Sequence, residues 1–158
     1  MRRDQDSINP RTRSDAMFLK SNPESDHPYL YGRVIGIFHA DAMDRKSMTQ
    51  FERVEFLFVC WYQVLDAANS GFKTKCLYHL QFLPSDNPFA FDFVDPQHVL
   101  RACHLIPRSS LGLTREFLGP SIARRPDEAD EDYEEYLANM YVSNLVLQET
   151  YTQKVCGS

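Results

Sequence analysis

Apolar and other residues alternate along two long stretches in the first half of the chain. They cover residues 29–42 and 53–62, and the second is the most apolar part of the sequence. A period of two places successive side chains on opposite faces of a β-strand. Both stretches carry apolar side chains on both faces, which indicates strands inside a barrel or a sandwich. The aromatic and β-branched residues of the second stretch favour a strand over a helix.

Shorter segments continue the pattern. Residues 76–83 and 89–94 alternate as strands, and residues 104–107 predict a brief strand. Asp95 followed by Pro96 is typical of an N-cap with proline at the first helical position, so we predict a short helix over residues 96–103.

Residues 127–151 fit two periods. Apolar side chains at helical spacing, behind an acidic first turn that suits the helix dipole, predict a C-terminal helix. Tyr136, Ala138, Met140 and Val142 also alternate as a strand would. We predict the helix and keep the strand as the alternative.

These elements predict a mainly β (α+β) fold: a small β-barrel or rolled antiparallel sheet with one short helix and a C-terminal helix. A length of 158 residues suits one domain with a real core. Residues 1–27 are polar and lack a hydrophobic period, so we predict a disordered tail there. The domain is expected over residues 28–152, and a disordered C-terminus over 153–158.

The net charge of −5 is unevenly distributed. Acids and bases balance over residues 1–28 and again over 29–119, and the excess lies in the acidic run of residues 127–135. Nucleic-acid binders usually show a basic excess, since phosphate contacts supply most of their affinity. The composition lacks that signature, so nucleic acid stays an open partner only through a basic face assembled by folding or through the mixed-charge tail.

The start of the chain has no apolar run typical of a signal peptide, and no stretch has the length of a membrane span. We therefore expect no membrane association and a location inside the cell, in the nucleus rather than the cytoplasm. Thiols stay reduced there, so Cys60, which alternates with Phe56 and Phe58, is expected to be a small buried apolar group.

Four blocks of the sequence carry a family resemblance. They read HPYLYGRVIGIFH (27–39), EFLFVCWY (55–62), PSDNPFAFDFVDPQHVLRACHLIP (84–107) and PSIARRP (120–126). Over about residues 27–142 the chain resembles an uncharacterised family of mushroom-forming fungi. Its members often sit at the C-terminal end of transposon-encoded proteins of the Plavaka and Kyakuja–Dileera–Zisupton kind. The resemblance implies an interaction module and brings no established activity.

The chain also resembles bromo-adjacent homology domains in its architecture. The likeness rests on Gly32–Phe38 (GRVIGIF), on Val59–Tyr62 (VCWY) and on Val99–Cys103 (VLRAC), in that order. The Arg-Pro-x-x-Thr element usual after the Trp-Tyr strand is replaced by Gln63-Val64-Leu65-Asp66. This resemblance implies a small β-barrel that binds chromatin or another protein.

Catalytic and metal motifs are weak. Cys76-x-x-His79 and the adjacent Cys103-His104 lack the paired spacing of structural zinc sites, because adjacent side chains on extended backbone point in opposite directions. There is no nucleophile elbow and no glycine-rich phosphate loop. We expect no metal, no cofactor and no enzyme activity.

Six aromatic residues form the one set in the sequence whose chemistry suggests a binding site. Three such rings around a pocket can hold a methylated lysine through cation–π contact, although aromatic residues more often form core. We predict a non-catalytic interaction domain, related to fungal transposon proteins, that binds chromatin protein or DNA. The alternatives are a non-autonomous fragment or remnant of a transposon-encoded enzyme and a structural oligomerisation module, and the sequence leaves the oligomeric state open. The candidate binding residues are Tyr31, Phe38, Trp61, Tyr62, Tyr78 and Phe91.

Overall fold

The computed structural model describes residues 8–20, 27–43, 51–65 and 77–139. These residues form ten β-strands and two short turns of 3-10 helix, so the mainly β prediction is confirmed. The strands are β1 (Asp15–Leu19), β2 (Tyr29–Met43), β3 (Phe51–Val64), β4 (Tyr78–Phe82), β5 (Phe91–Val94), β6 (Val99–Ala102), β7 (His104–Pro107), β8 (Leu113–Thr114), β9 (Asp132–Tyr133) and β10 (Tyr136–Asn139). The 3-10 turns are Pro96–His98 and Ser109–Leu111.

One antiparallel sheet holds eight of these strands. Its order is β6-β1-β2-β3-β4-β10-β7, with β5 pairing β3, and β8 and β9 form a separate pair. The long strands β2 and β3 are its spine: Tyr31 lies opposite Tyr62 near one end of the ladder and Met43 opposite Phe51 at the other. A register shift between Val34 and Gly36 places an extra residue in β2, as in a β-bulge.

The two edge strands of this sheet are consecutive in the chain. β6 pairs β1 and β7 pairs β10, and only Cys103 separates β6 from β7. The Cys103 amide donates to the carbonyl of Asp15 at 2.8 Å. The sheet must therefore curl until its edges meet at one residue. Because β6 and β7 follow each other and do not pair, the sheet is not a closed barrel, and the rolled-sheet alternative describes it.

Both faces of the sheet are buried near its centre, as the two-sided apolar pattern of β2 and β3 predicts. On one face Tyr31, Cys60 and Tyr62 pack with residues of β4 and β10 and with Leu118. On the other face Val34, Leu57 and Val59 pack with Ala16 and Phe18. Burying both faces removes several large side chains from water, at about 25 cal/mol for each Å² of apolar surface.

The predicted tail contains a structural strand, so the disordered assignment is wrong for residues 15–19. β1 pairs β2 on one side and β6 on the other. Ala16, Met17 and Phe18 are buried. Three successive apolar residues serve both faces of the sheet there, whereas the charged residues around them dominate the composition of the segment.

The predicted helix over residues 96–103 is wrong beyond its first turn. The Asp95 carboxylate accepts the Gln97 amide at 2.8 Å and Pro96 opens the turn, as the cap prediction requires. The chain leaves the turn at Val99 and continues as β6. Pairing with β1 overrides the helical spacing, because it satisfies the backbone of β6 and packs Val99 against the face that contains Phe18.

The C-terminal helix is also wrong where the structure describes its residues. β10 takes the strand alternative and lies between β4 and β7. The rest of the predicted helix, the predicted C-terminal disorder, and residues 1–7 and 21–26 of the predicted tail lie outside the described residues. Among the described residues, no helix has the length and apolar character to cross a membrane.

Candidate binding site

The predicted aromatic set does not form one pocket. Tyr31, Tyr62 and Tyr78 are at most 7% exposed and belong to the core cluster on one face of the sheet. Burial raises the pKa of all three phenols. The Tyr62 hydroxyl donates to Asp15 at 2.9 Å, which ties β3 to β1. Tyr31 and Tyr78 are therefore structural core residues.

Phe38 lies away from these tyrosines, on the outer part of β2. It is 46% exposed and stacks on Phe56 of β3, with ring centroids 5.8 Å apart. Phe56 in turn meets Phe93 of β5 edge-on at 5.5 Å. Phe38 thus belongs to a separate, exposed row of aromatic side chains.

Trp61 and Phe91 do meet at a pocket, which Tyr62 also lines. The pocket has a volume of about 520 Å³, within the range of sites that take a small molecule or a peptide side chain. Its walls are aromatic and aliphatic, and Asp92 is the one acidic residue among them. The lining residues are Leu30, Trp61, Tyr62, Leu83, Pro88, Phe89, Phe91 and Asp92.

Backbone hydrogen bonds on the outer side of β3 hold this pocket in place. The Trp61 amide donates to the carbonyl of Ala90 at 2.8 Å, and the Leu83 amide donates to the carbonyl of Trp61 at 3.1 Å. The chain between them turns at Pro84–Ala90, and the side chain of Asn87 accepts the Phe89 amide at 2.9 Å. Both ends of the turn are anchored at Trp61, so Phe89 is held at the pocket that Trp61 also lines.

The indole itself is fixed from the side of the core. Phe18 meets Trp61 edge-on, with ring centroids 5.0 Å apart. Gly32 lies opposite Trp61 in the ladder, and a Cβ at that position would lie 2.9 Å from the indole Cε3. The absent side chain of Gly32 is what allows the ring to lie flat against β2.

Asp92 supplies the charge of the pocket. It is exposed, and one carboxylate oxygen accepts the Phe93 amide at 2.7 Å. Within the part of the chain that the structure describes, no lysine, arginine or histidine forms an ion pair with it. Aromatic faces next to a carboxylate without an ion-pair partner attract a cation, above all one that carries apolar groups.

The arginines of the domain are mostly neutralised by the acidic run of residues 127–135. Each of four arginines bonds a carboxylate of that run within 2.9 Å: Arg33 with Glu128, Arg108 with Glu135, Arg115 with Glu131, and Arg124 with Asp132. The run that predicted a helix start is instead a set of ion-pair partners.

A second cavity of about 210 Å³ is lined by several arginines. The Asp15 carboxylate lies 3.5 Å from Arg33 and 3.4 Å from Arg125, so it offsets the positive charge of these two arginines. Arg11, from the predicted tail, also lines this cavity and is exposed. The cavity is consequently not the concentrated basic face on which nucleic-acid binding depends.

The cysteine and histidine pairs take other roles. His79 Nδ1 lies 2.9 Å from a carboxylate oxygen of Glu135, and Cys76 lies outside the described residues. Burial raises the pKa of the Cys60 and Cys103 thiols to about 12. No group of three or more metal-ligating side chains occurs among the residues with described positions.

Sequence reasoning missed five of the eight lining residues, Leu30, Leu83, Pro88, Phe89 and Asp92. Phe89 and Asp92 are the two that supply an aromatic ring and a charge. Phe89 was assigned to an alternating strand, yet it lies in the turn and is 77% exposed. Phe89 directly follows the second proline of the segment Pro84-Ser85-Asp86-Asn87-Pro88, and that turn composition is the one feature of the sequence that sets it apart from a strand residue.

The chain matches no model of a known protein family, no curated protein and no solved structure.

Proposed function

We propose that the protein is a non-catalytic interaction domain, of the kind carried by fungal transposon-encoded proteins, that binds a chromatin protein. The pocket between Trp61 and Phe89 takes a methylated lysine of an extended peptide. The observation that carries the proposal is one pocket that combines Trp61, Phe89 and Phe91 with the carboxylate of Asp92.

The ligand class follows from this chemistry. A quaternary ammonium group is a cation with a methyl surface, so it gains from ring faces by cation–π attraction and from apolar walls by burial. Leu30, Leu83 and Pro88 supply those walls. A free ammonium group is more strongly hydrated and loses more on entering the pocket, so methylation raises the affinity.

The charge of the chain favours a basic partner. The net charge is −5. Among the described residues no cationic side chain is paired with Asp92, so a basic peptide does not have to displace one. Duplex DNA would meet the same acidic balance, which opposes it. A chromatin protein with a basic tail is therefore preferred over DNA as the partner.

The test is titration of the full chain with a peptide that carries trimethyl-lysine, followed by the fluorescence of Trp61, the single tryptophan. We expect saturable binding that weakens for the unmethylated peptide. Phe89→Ala removes an exposed ring and should weaken binding about 2- to 30-fold, since one cation–π contact contributes about 0.5–2 kcal/mol.

Phe51→Ala is the matched control. Phe51 is 70% exposed at the start of β3 and outside the pocket, so its loss should leave the affinity unchanged. Asp92→Asn should weaken binding mainly at low salt, where the carboxylate is least screened. Absence of any change at millimolar peptide would overturn the proposal, and so would equal losses in Phe89→Ala and Phe51→Ala.

A further inference from the structure

The outer ends of β2 and β3 extend beyond the rest of the sheet. We call residues 38–43 of β2 and 51–56 of β3 the arm. β1 pairs β2 only as far as Arg33, and β5 pairs β3 only from Leu57 onward. Among the described residues the two strands of the arm therefore pair only with each other, and nearly all of their residues are exposed.

The β2 edge of the arm has little of the usual protection against pairing, and Asp41 is its one acidic residue. Residues 38–43 contain no lysine and no proline, and the ladder between Phe38–Phe56 and Met43–Phe51 runs without a bulge. Natural proteins commonly use such devices on exposed edges, because an unpaired row of backbone groups is a template for another strand.

The two faces of the arm differ in character. One face is mostly apolar, with Phe38 stacked on Phe56 and with Ala40 opposite Val54, and its outermost pair is Ala42 opposite Glu52. Phe38 and Val54 are each almost half exposed.

The other face carries charged pairs in alternation. His39 lies opposite Glu55, and Asp41 lies opposite Arg53. Along the β2 edge, a donor or cation at His39 is thus followed two residues later by an anion at Asp41.

This arrangement is complementary to itself. If β2 pairs antiparallel with β2 of a second copy about a two-fold axis at Ala40, His39 lies opposite Asp41 of the second copy, and the reverse. The row across the four strands then reads Glu55, His39, Asp41, Arg53, so that the imidazole of each copy lies between two carboxylates.

Charge also selects the register. An axis at Asp41 would place the two Asp41 carboxylates opposite each other, and an axis at His39 would place the two imidazoles opposite each other. Like charges directly opposite each other destabilise a sheet. An axis perpendicular to the sheet also brings Phe38 and Phe56 of both copies onto one face, which is apolar at its centre and carries Glu52 of each copy at its margins.

We infer that the arm is a self-association surface, on which residues 38–43 of two copies of this chain pair antiparallel about Ala40. The occupant of the free edge is a second copy, since the edge offers that copy an imidazole donor at His39 opposite its Asp41 carboxylate, and the reverse. This inference does not depend on the peptide pocket, which lies at the other end of β3.

Sedimentation equilibrium of the full chain tests it from micromolar to submillimolar concentrations. We expect the mass to rise from 18.4 kDa toward twice that value. Asp41→Lys places lysine opposite His39 of the second copy, and it should weaken the association about tenfold or more. Asp86→Lys makes the same charge change in the exposed Pro84–Ala90 turn and should leave the association unchanged.

A charge exchange separates this register from any other contact. His39→Glu alone places glutamate opposite Asp41 and should also weaken the association. Mixed with Asp41→Lys, it restores both opposite-charge pairs, so the mixture should form a heterodimer that neither variant forms with itself. Circular dichroism and Trp61 fluorescence verify that each variant is folded.

Three outcomes would overturn the inference. They are a wild-type chain that stays monomeric at every concentration, an Asp41→Lys variant that associates like wild type, and a mixture that associates no better than its components.

Discussion

Gly32 is the residue whose replacement tests the packing of β2 against β3 most directly. Replacing it by alanine adds one Cβ atom next to the Tyr31–Tyr62 end of the ladder. That atom would collide with Cγ1 of Val59 and would lie 2.9 Å from Cε3 of Trp61. Val59 is fully buried and β-branched, so its rotation is restricted and making room requires its neighbours to shift.

The expected cost follows from two opposing effects. Overpacking a closed site costs about 1–3 kcal/mol, because neighbours leave their preferred rotamers or the strands separate. Replacing glycine by alanine also restricts the unfolded chain, which stabilises the folded state by about 0.4–1 kcal/mol. We therefore expect Gly32→Ala to lower the free energy of unfolding by about 1–2 kcal/mol and to move the Trp61 ring.

Gly36 provides the matched control in the same strand. A Cβ there would meet only the outer atoms of the Phe38 ring, at 2.5 Å from Cε2. Phe38 is 46% exposed and can rotate away. Gly36→Ala should consequently stay within about 0.5 kcal/mol of wild type.

Urea denaturation measures the stability of both variants and of wild type. Circular dichroism is the primary probe, because the substitution at Gly32 also affects Trp61 and hence its fluorescence. The free energy of unfolding comes from linear extrapolation to water. Equal stability of Gly32→Ala and wild type would refute the close packing described for β2 and β3. Equal losses in Gly32→Ala and Gly36→Ala would also refute it, since a general effect of alanine in the strand would then explain both.

Two further predictions concern the ion pairs. Arg124 and Asp132 form a two-pronged pair at 2.7 and 2.9 Å with side chains 8% and 2% exposed, so Arg124→Met should lower the free energy of unfolding by about 3–5 kcal/mol. The double variant with Asp132→Leu should cost less, and a urea double-mutant cycle that shows simple additivity would contradict this. Burial raises the pKa of Glu135, while hydrogen bonds from His79 and Arg108 lower it further than burial raises it, so its pKa lies below the ordinary value of 4.5. The carboxylate therefore stabilises the fold above about pH 4.5, and that stabilisation is lost as the pH falls through the lowered pKa. Glu135→Gln should make the free energy of unfolding less dependent on pH on the acid side. An unchanged pH dependence would contradict the role of these hydrogen bonds.

The central strands could be predicted from the sequence because their pattern is local. β2 and β3 run within two residues of the predicted limits, and β7 agrees with its prediction. Alternation over so many residues is typical of a strand and of few other structures, because successive side chains of a strand point to opposite faces. The N-cap at Asp95 was likewise predicted from adjacent residues alone.

The pocket could be predicted only in part. Trp61 and Phe91 belong to strands that the pattern identifies, so both appear among the predicted residues. Phe89 and Asp92 line the pocket because backbone hydrogen bonds join both ends of the turn at residues 84–90 to Trp61. The spacing of the turn residues does not indicate which strand the turn will contact. Tyr31 and Tyr78 were predicted from the same aromatic pattern as Trp61, but the fold places them in the core and outside the pocket, whereas Tyr62 belongs to both.

The sequence by itself determined the β character of the chain and the limits of its central strands. These depend on side-chain periodicity and on propensities that act between near neighbours. The tertiary structure alone decided that β1, β6 and β10 are strands, because each is held by partners distant in the chain. It also decided which arginine meets which carboxylate and which rings form the pocket, since those contacts exist only after the sheet curls and brings its two edges together at Cys103.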